Sequence, residues 1–311
     1  MKKSGVVVKN TGSWYSVKSE GVTLQCRIKG RLRMQGFRST NPVAVGDYVD
    51  LLYDEKENIG VIKEIKPRKN HFSRRSINLS KASHIIAANI DMAVLIATVN
   101  YPETSTTFID RFLVTAEAYD IPATIVFNKI DRYNDADKAV LNDLIALYES
   151  IGYNCLCVSA LNKLDLDKLT SFLKDKVTLL SGHSGVGKST LINAICPDLS
   201  VKTDEISDYH LAGKHTTTFS EMFDLPFGGQ IIDTPGIKGL GTLDYKKEEV
   251  SHYFPDFFGL SEKCKFYNCT HLHEPGCVVI EALQNDELAL SRYQSYLSIL
   301  EDDAEDKYRS R

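Results

Sequence analysis

Hydrophobic and polar positions follow three different rhythms along the 311 residues. Over residues 1–67, apolar side chains come in short alternating runs at 5–9, 14–18, 22–28, 48–53 and 60–65, separated by the turn formers Asn-Thr-Gly, Ser-Glu-Gly and Val-Gly-Asp. Alternation with a period of two marks half-buried strands, so this segment predicts five short strands. Five strands with no helical stretch between them suit a small closed barrel, and the OB-fold is the commonest arrangement of that size.

The rhythm then breaks. Residues 66–76 carry five Lys or Arg, no acid and no apolar period, and residues 68–84 read as a basic linker. From residue 85 to about 245 near-continuous apolar runs at 92–99, 123–127, 155–158, 177–180 and 230–232 alternate with helical spacing at 137–151 and 165–174. Runs apolar at every position are what strands buried on both faces require, so a doubly wound α/β domain is expected here. Residues 246–311 turn to aromatic, Cys and His residues and then to a helix predicted over 286–300, with residues 301–311 as a frayed, solvated tail.

A composition of 43% hydrophobic and 25% charged residues is that of an ordinary globular protein. No stretch reaches the roughly 18 apolar residues of a membrane helix, and the Met-Lys-Lys opening lacks the apolar core of a signal peptide. A cytoplasmic protein with no membrane contact is therefore expected. Net charge is −4, but residues 1–38 hold nine Lys or Arg against the single acid Glu20, leaving about −12 on the rest of the chain. So uneven a distribution suits a polyanion at the N-terminal end. Seven cysteines are present. Cys26, Cys155, Cys157 and Cys196 read as small buried hydrophobes, which leaves Cys264, Cys269 and Cys277 as a cluster with a purpose to find.

Gly182, His183, Ser184, Gly185, Val186, Gly187, Lys188 and Ser189 fit the phosphate-loop pattern, and they lie between a predicted strand at 177–180 and a predicted helix at 189–195. Glycines let backbone amides curl around phosphate oxygens, Lys188 neutralises the β and γ groups, and the Ser189 hydroxyl can ligate Mg²⁺. The rival reading is a plain glycine turn. Asn128, Lys129, Ile130 and Asp131 follow an apolar strand, where open α/β sheets place ligand contacts. The Asp131 carboxylate can accept hydrogen bonds from guanine N1 and N2, which adenine does not offer. Alone the tetrapeptide is a common helix-start turn, and beside a phosphate loop it points to guanine. Asp233-Thr-Pro-Gly236 follows the strand at 230–232 and offers a carboxylate for Mg²⁺ and a glycine amide for a γ-phosphate. Residues 213–218 supply His215, Thr216, Thr217 and Thr218 in a polar loop. Ser159 and Ala160, at another strand end, can present backbone amides to the guanine carbonyl.

The order of these elements is permuted. In ordinary GTPases the phosphate loop precedes the Asn-Lys-x-Asp element, whereas here Asn128 precedes Gly182. Downstream, Cys264, Cys269, His271 and Cys277 lie within 14 residues, a set that matches a closed Cys₃His zinc site. His273 is a rival ligand, and reduced surface thiols are the alternative.

Taken together, the permuted order, the β-rich head and the C-x4-C-x-H-x5-C segment resemble the RsgA family of GTPases that depend on the small ribosomal subunit. The likeness extends over nearly the whole chain. It implies an N-terminal all-β OB barrel, a central α/β circularly permuted P-loop GTPase domain, and a C-terminal mainly α zinc-binding domain, with boundaries expected at 1–67, 85–245 and 246–311. It implies late maturation of the 30S subunit, with 16S rRNA contacted by the barrel and the zinc domain, by a monomer. By the same likeness Asn128, Lys129 and Asp131 bind guanine and residues 182–190, ending at Thr190, hold phosphates. Cys264, Cys269, His271 and Cys277 bind one structural zinc, and Thr217 joins Ser189 on Mg²⁺. Ile237, after Gly236, stands where many GTPases place a glutamine that orients water, so slow intrinsic turnover is expected. His215 is the nearest polar candidate for that task, with Lys188 and Thr217 completing the catalytic set. Two other readings remain at this stage: an RNA-docking checkpoint in which GTP only selects a conformation, and a metabolic P-loop kinase or ATPase.

Overall fold

Lys2–Asn10, Tyr15–Ser19, Val22–Ile28, Tyr48–Asp54 and Ile59–Ile65 form strands β1 to β5 in the computed structural model, which describes residues 1–28, 42–75, 83–199, 220–233 and 247–308. β1 pairs with β2 and β4, β2 with β3, β3 with β5 and β5 with β4. The sheet therefore closes on itself as a five-stranded barrel. Alternation does the work expected of it: Val7, Tyr15, Val17, Leu24, Cys26, Val49, Leu51 and Ile62 point inward and are buried together.

Both described ends of the predicted linker are structured. His71–Arg75 and Ser83–Ala88 form β6 and β7, an antiparallel pair. Phe72 is fully buried in the core of the α/β domain beside Ile86, Ala87 and Val45. Arg68 donates from Nε to Asp47 Oδ1 at 2.6 Å and from Nη2 to Asp47 Oδ2 at 2.7 Å, and Asp47 is wholly buried in the barrel. Asn70 bonds to the backbone of Ile90 in both directions at 2.8 Å. A polar, basic composition concealed these contacts because one aromatic, one arginine and one amide carry them.

Met92–Ala97, Ala123–Phe127, Asn154–Cys157, Val177–Ser181, Glu221–Asp224 and Gln230–Asp233 are β8 to β13. Their order in space is β10-β9-β8-β11-β13-β12, parallel except for β12. If the chain began at β11, this would be an unbroken doubly wound sheet. The permutation thus moves the ends of the chain and leaves the layout of the sheet alone. β8 explains why its sequence is apolar throughout: Ala93, Leu95 and Ala97 pack into one face and Met92, Val94 and Ile96 into the other.

Helices α1 (Thr106–Ala118) and α2 (Asp135–Ile151) contribute to the first face, and α3 (Leu166–Leu173) and α4 (Lys188–Ile195) to the second. α2 starts on a capping box between Asn134 and Asp137 and stops at Gly152, whose φ of 108° needs a residue without Cβ. Pro255–Ser261, Val278–Gln284 and Leu290–Tyr308 form α5, α6 and α7 of a smaller C-terminal layer. α7 runs on into the acidic stretch read above as a frayed tail. Arg292 docks this layer on α1: it is fully buried and bonds Asp110 at 2.7 Å and both oxygens of Asp256 at 2.8 and 3.0 Å. Barrel and α/β sheet meet edge to edge, where Lys9 of β1 pairs with Glu221 of β12. No helix among the described residues is long and apolar enough to cross a membrane.

Arg68→Ala leaves Asp47 as a buried carboxylate without its cation, and loss of one partner of such a pair costs about 3 kcal/mol. The expected outcome is a matching fall in the denaturant midpoint, and an unchanged midpoint would return residues 68–75 to the status of a linker.

Candidate functional site

The sheet reverses its winding between β8 and β11, and the crevice beyond their C-terminal ends is where ligands bind in open α/β folds. β11 feeds the glycine-rich loop into this crevice. Gly182 has φ of 153°, and a Cβ there would stand 2.5 Å from the carbonyl oxygen of Ile96 in β8. Gly187 has φ of 92°, and a Cβ would stand 2.6 Å from Asn128 Nδ2. These two glycines are needed both for backbone conformation and for close approach.

Asn128, at the end of β9, is buried and bonded at both ends of its amide. Nδ2 donates to Val186 O at 2.9 Å, and Oδ1 accepts from Ala160 N at 3.1 Å. Lys129 sits at φ 64°, a left-handed turn that redirects the chain into a 3₁₀ turn at Ile130–Arg132. Its ammonium donates to Gly185 O and Tyr101 O, each at 2.6 Å, and burial lowers its proton affinity. Asp131 accepts from Ser159 Oγ at 2.5 Å, while that hydroxyl accepts from Asn162 N at 3.1 Å. Asn128 and Lys129 are thus bonded side chain to backbone to the glycine-rich loop, 58 and 56 residues further along the chain.

Lys188 opens α4 and is almost buried. Nζ donates to Gly182 O at 2.7 Å and His183 O at 3.2 Å, which arches the side chain back over the loop. Burial lowers its proton affinity, against the opposing pull of Asp233. Asp233 closes β13. Burial pushes its carboxyl up to about 6 despite Lys188, and Oδ1 has no hydrogen-bond partner among the described residues. A buried carboxylate with an unpartnered oxygen beside a phosphate loop fits a divalent cation, whose charge would supply the missing stabilisation. Ser189 and Thr190 occupy the first turn of α4, and Ser184 and Gly185 are exposed at the loop tip. His215, Thr217, Gly236 and Ile237 lie outside the described residues.

Two residues of this site carry no motif signal. Tyr133 OH donates to Asn128 O at 2.7 Å and accepts from Val99 N at 2.9 Å, bracing the turn after β9 against the turn after β8. Phe108, in the first turn of α1, stacks on His183 with ring centroids 3.6 Å apart.

The second cluster is in the C-terminal layer. One ligand atom from each of Cys264, Cys269, His271 and Cys277 lies within 4.8 Å of all the others. His271 Nδ1 is 3.3 Å from Cys277 Sγ and 3.8 Å from Cys264 Sγ. Zinc bond lengths of about 2.1 and 2.3 Å in a tetrahedron place ligand atoms roughly 3.5 to 3.8 Å apart, so the set fits such an ion without rearrangement of the fold. Burial pushes the Cys269 thiol up to about 12 and raises Cys277 as well, since thiolates without a cation are unfavourable there. Glu274 holds the loop by accepting from the amides of Thr270, Leu272 and His273. Tyr293 and Tyr296 of α7 donate to the carbonyls of His271 and Thr270 at 2.8 and 2.7 Å. The rival ligand His273 is not among the four grouped residues.

Residues 65–243 match the profile of the RsgA GTPase family, and residues 4–62 match the RsgA N-terminal domain. The chain belongs to the RsgA GTPase family. It is therefore a GTP hydrolase with a barrel, a permuted GTPase domain and a C-terminal helical layer. Over 307 residues it is 59% identical to the small ribosomal subunit biogenesis GTPase RsgA of Phocaeicola vulgatus, covering 98% of this chain and 99% of that one. The protein of the same name from Bacteroides fragilis is 58% identical over the same shares. Among solved structures, YjeQ from Thermotoga maritima superposes with a TM-score of 0.77 at 34% identity, covering 97% of this chain and 98% of that one. YloQ, described as a circularly permuted GTPase, gives 0.73 at 32%, covering 98% and 96%.

Tyr133→Phe removes a donor from Asn128 O and an acceptor from Val99 N, and such losses cost about 1 to 3 kcal/mol when the groups are buried. GDP affinity is expected to fall roughly tenfold by fluorescent-nucleotide titration, whereas wild-type affinity would show that the brace is dispensable.

Proposed function

We propose that this chain binds the small ribosomal subunit, contacts its 16S rRNA, and assists its late maturation as a cytoplasmic monomer, hydrolysing GTP at a rate raised by the subunit. The observation that carries this reading is 59% identity over 98% of the chain to a protein named for small-subunit biogenesis. Supporting it, nine Lys or Arg among residues 1–38 give the barrel end the charge that a phosphate backbone attracts.

In this reading Asp131, held by Ser159, accepts from the guanine edge, and Ala160 N and Lys129 frame the base. The amides of residues 182–190 receive the phosphates, and Lys188 turns from the loop carbonyls to the β and γ oxygens. Ser189, Thr217 and Asp233 would hold Mg²⁺. When bound, Mg²⁺ neutralises charge on the transferred phosphoryl group. Gly236 offers an amide to the γ-phosphate. Ile237 has no polar group with which to orient water, so His215 takes that role as a neutral imidazole once the subunit is bound. Cys264, Cys269, His271 and Cys277 would hold one structural zinc.

The deciding experiment is multiple-turnover GTP hydrolysis with and without 30S particles, with 50S particles as control. At least a tenfold rise confined to 30S is expected, and equal rates throughout would overturn the reading. His215→Ala should lose the stimulated rate while still sedimenting with 30S, and retention of both would assign the water to another group. Asp131→Asn exchanges an acceptor for a donor, so preference should pass from guanosine to xanthosine nucleotides, and unchanged GTP affinity would dismiss the assignment. Metal analysis should find one zinc per chain in the wild type and none in Cys269→Ala, with a lower melting temperature. A metal-free wild type with full stability would refute the zinc assignment.

A further inference from the structure

The first helix of the α/β domain touches both the phosphate loop and the C-terminal layer. On one side, Phe108 stacks on the imidazole of His183 at 3.6 Å and 29° between planes, and Phe112 below it is fully buried in the main core. Burial and the nearby Lys188 lower the proton affinity of His183, which favours the neutral imidazole in the stack. Residues two apart on a helix point about 200° apart, and residues four apart share a face. Asp110 and Val114 therefore face away from Phe108 and Phe112. Asp110 receives Arg292 Nη1 at 2.7 Å, and Val114 is buried in the cluster of the C-terminal layer with Phe254, Phe257, Cys269 and Tyr296. Arg111 adds a third tie, donating to Ser298 Oγ at 2.9 Å and Ser298 O at 3.3 Å.

Both ends of this linkage are short. Arg292 is on α7, and Tyr293 and Tyr296 of the same helix hold the carbonyls of the Cys₃His loop. His183 is the second residue of the phosphate loop, and its own carbonyl accepts from Lys188. The C-terminal layer is thus joined to α1 through a buried ion pair, and α1 to the loop through one ring stack.

We propose that α1 is the rod by which docking of the C-terminal layer on the small subunit reaches the phosphate loop, with Phe108 as a positioning residue acting through His183. The proposal rests on the small subunit being the docking partner. Phe108 touches no nucleotide atom in this scheme. It sets where the loop stands when the layer behind α1 is engaged.

The test compares Phe108→Ala, Phe108→Leu and Phe108→Tyr in the full chain. For each, melting temperature, 30S sedimentation and the ratio of stimulated to basal turnover are measured. Tyr keeps the ring and should keep the ratio, whereas Ala and Leu should lower it about tenfold, the scale of a lost aromatic pair, with normal 30S binding. A wild-type ratio in Ala, or in Leu, which restores apolar volume without a ring, overturns the proposal. A second arm needs no ribosome: GDP affinity is measured for Phe108→Ala, Arg292→Lys and the double variant, with Arg111→Met replacing Arg292→Lys if that variant is unfolded. Substitutions that share no partner normally add, so a departure of threefold or more supports transmission through α1, and additivity overturns it. If 30S fails to stimulate the wild type, the functional reading above falls, and the affinity cycle alone decides the role of α1.

Discussion

One side chain holds the site together. The Asn128 amide donates to the phosphate loop through Val186 and accepts from the turn after β10 through Ala160, so three loops from three strands meet at a single buried group. Its worth comes from satisfaction rather than from strength. A buried amide with either end unpaired would cost more than the bond it makes, so the three loops are stable only in their joint arrangement. Gly187 must lack a Cβ for the same reason, since Asn128 Nδ2 takes that space. Sheet topology makes the meeting possible: parallel strands all end on the same side, and the reversal between β8 and β11 opens the crevice in which the amide sits.

Permutation is tolerated because this arrangement depends on strand order in space and not on order along the chain. β10, an edge strand, connects through α3 to β11 in the middle of the sheet, a link that in an unpermuted chain would be absent. The GTPase layout survives, and the ends released at the new cut lead to the barrel on one side and the C-terminal layer on the other. Both additions then pack against the GTPase domain: the barrel against β12 and β7, the C-terminal layer against α1.

Much of this was legible in the sequence where one force acts alone. β8 and β9 are apolar at nearly every position because both faces are covered, and the barrel strands alternate because only one face is. The glycine-rich loop, Asn128 to Asp131 and the cysteine spacing carry their chemistry in residue type, so they could be read before any fold was known. What escaped notice depends on tertiary proximity. α1 is buried on two faces, with Asp110 inward, so its pattern is not amphipathic. β6 is held by its pairing with β7 and by Phe72, a lone aromatic in basic surroundings. Tyr133 is an ordinary aromatic until the turns after β8 and β9 are brought together, and Phe108 until α1 meets the loop after β11.

The seam between barrel and sheet joins parts of the chain that are made far apart in time. All five barrel strands are complete by Ile65, and their pairings are mostly local, so the barrel can close as soon as that segment exists. The seam pairs Lys9 with Glu221, and until Glu221 is made the outer edge of β1 at that point faces water. An exposed strand edge invites foreign strands, and here the cover arrives more than two hundred residues later, as one of the last parts of the GTPase sheet. Synthesis of the catalytic domain therefore ends by sealing the edge that the first residues of the chain left open.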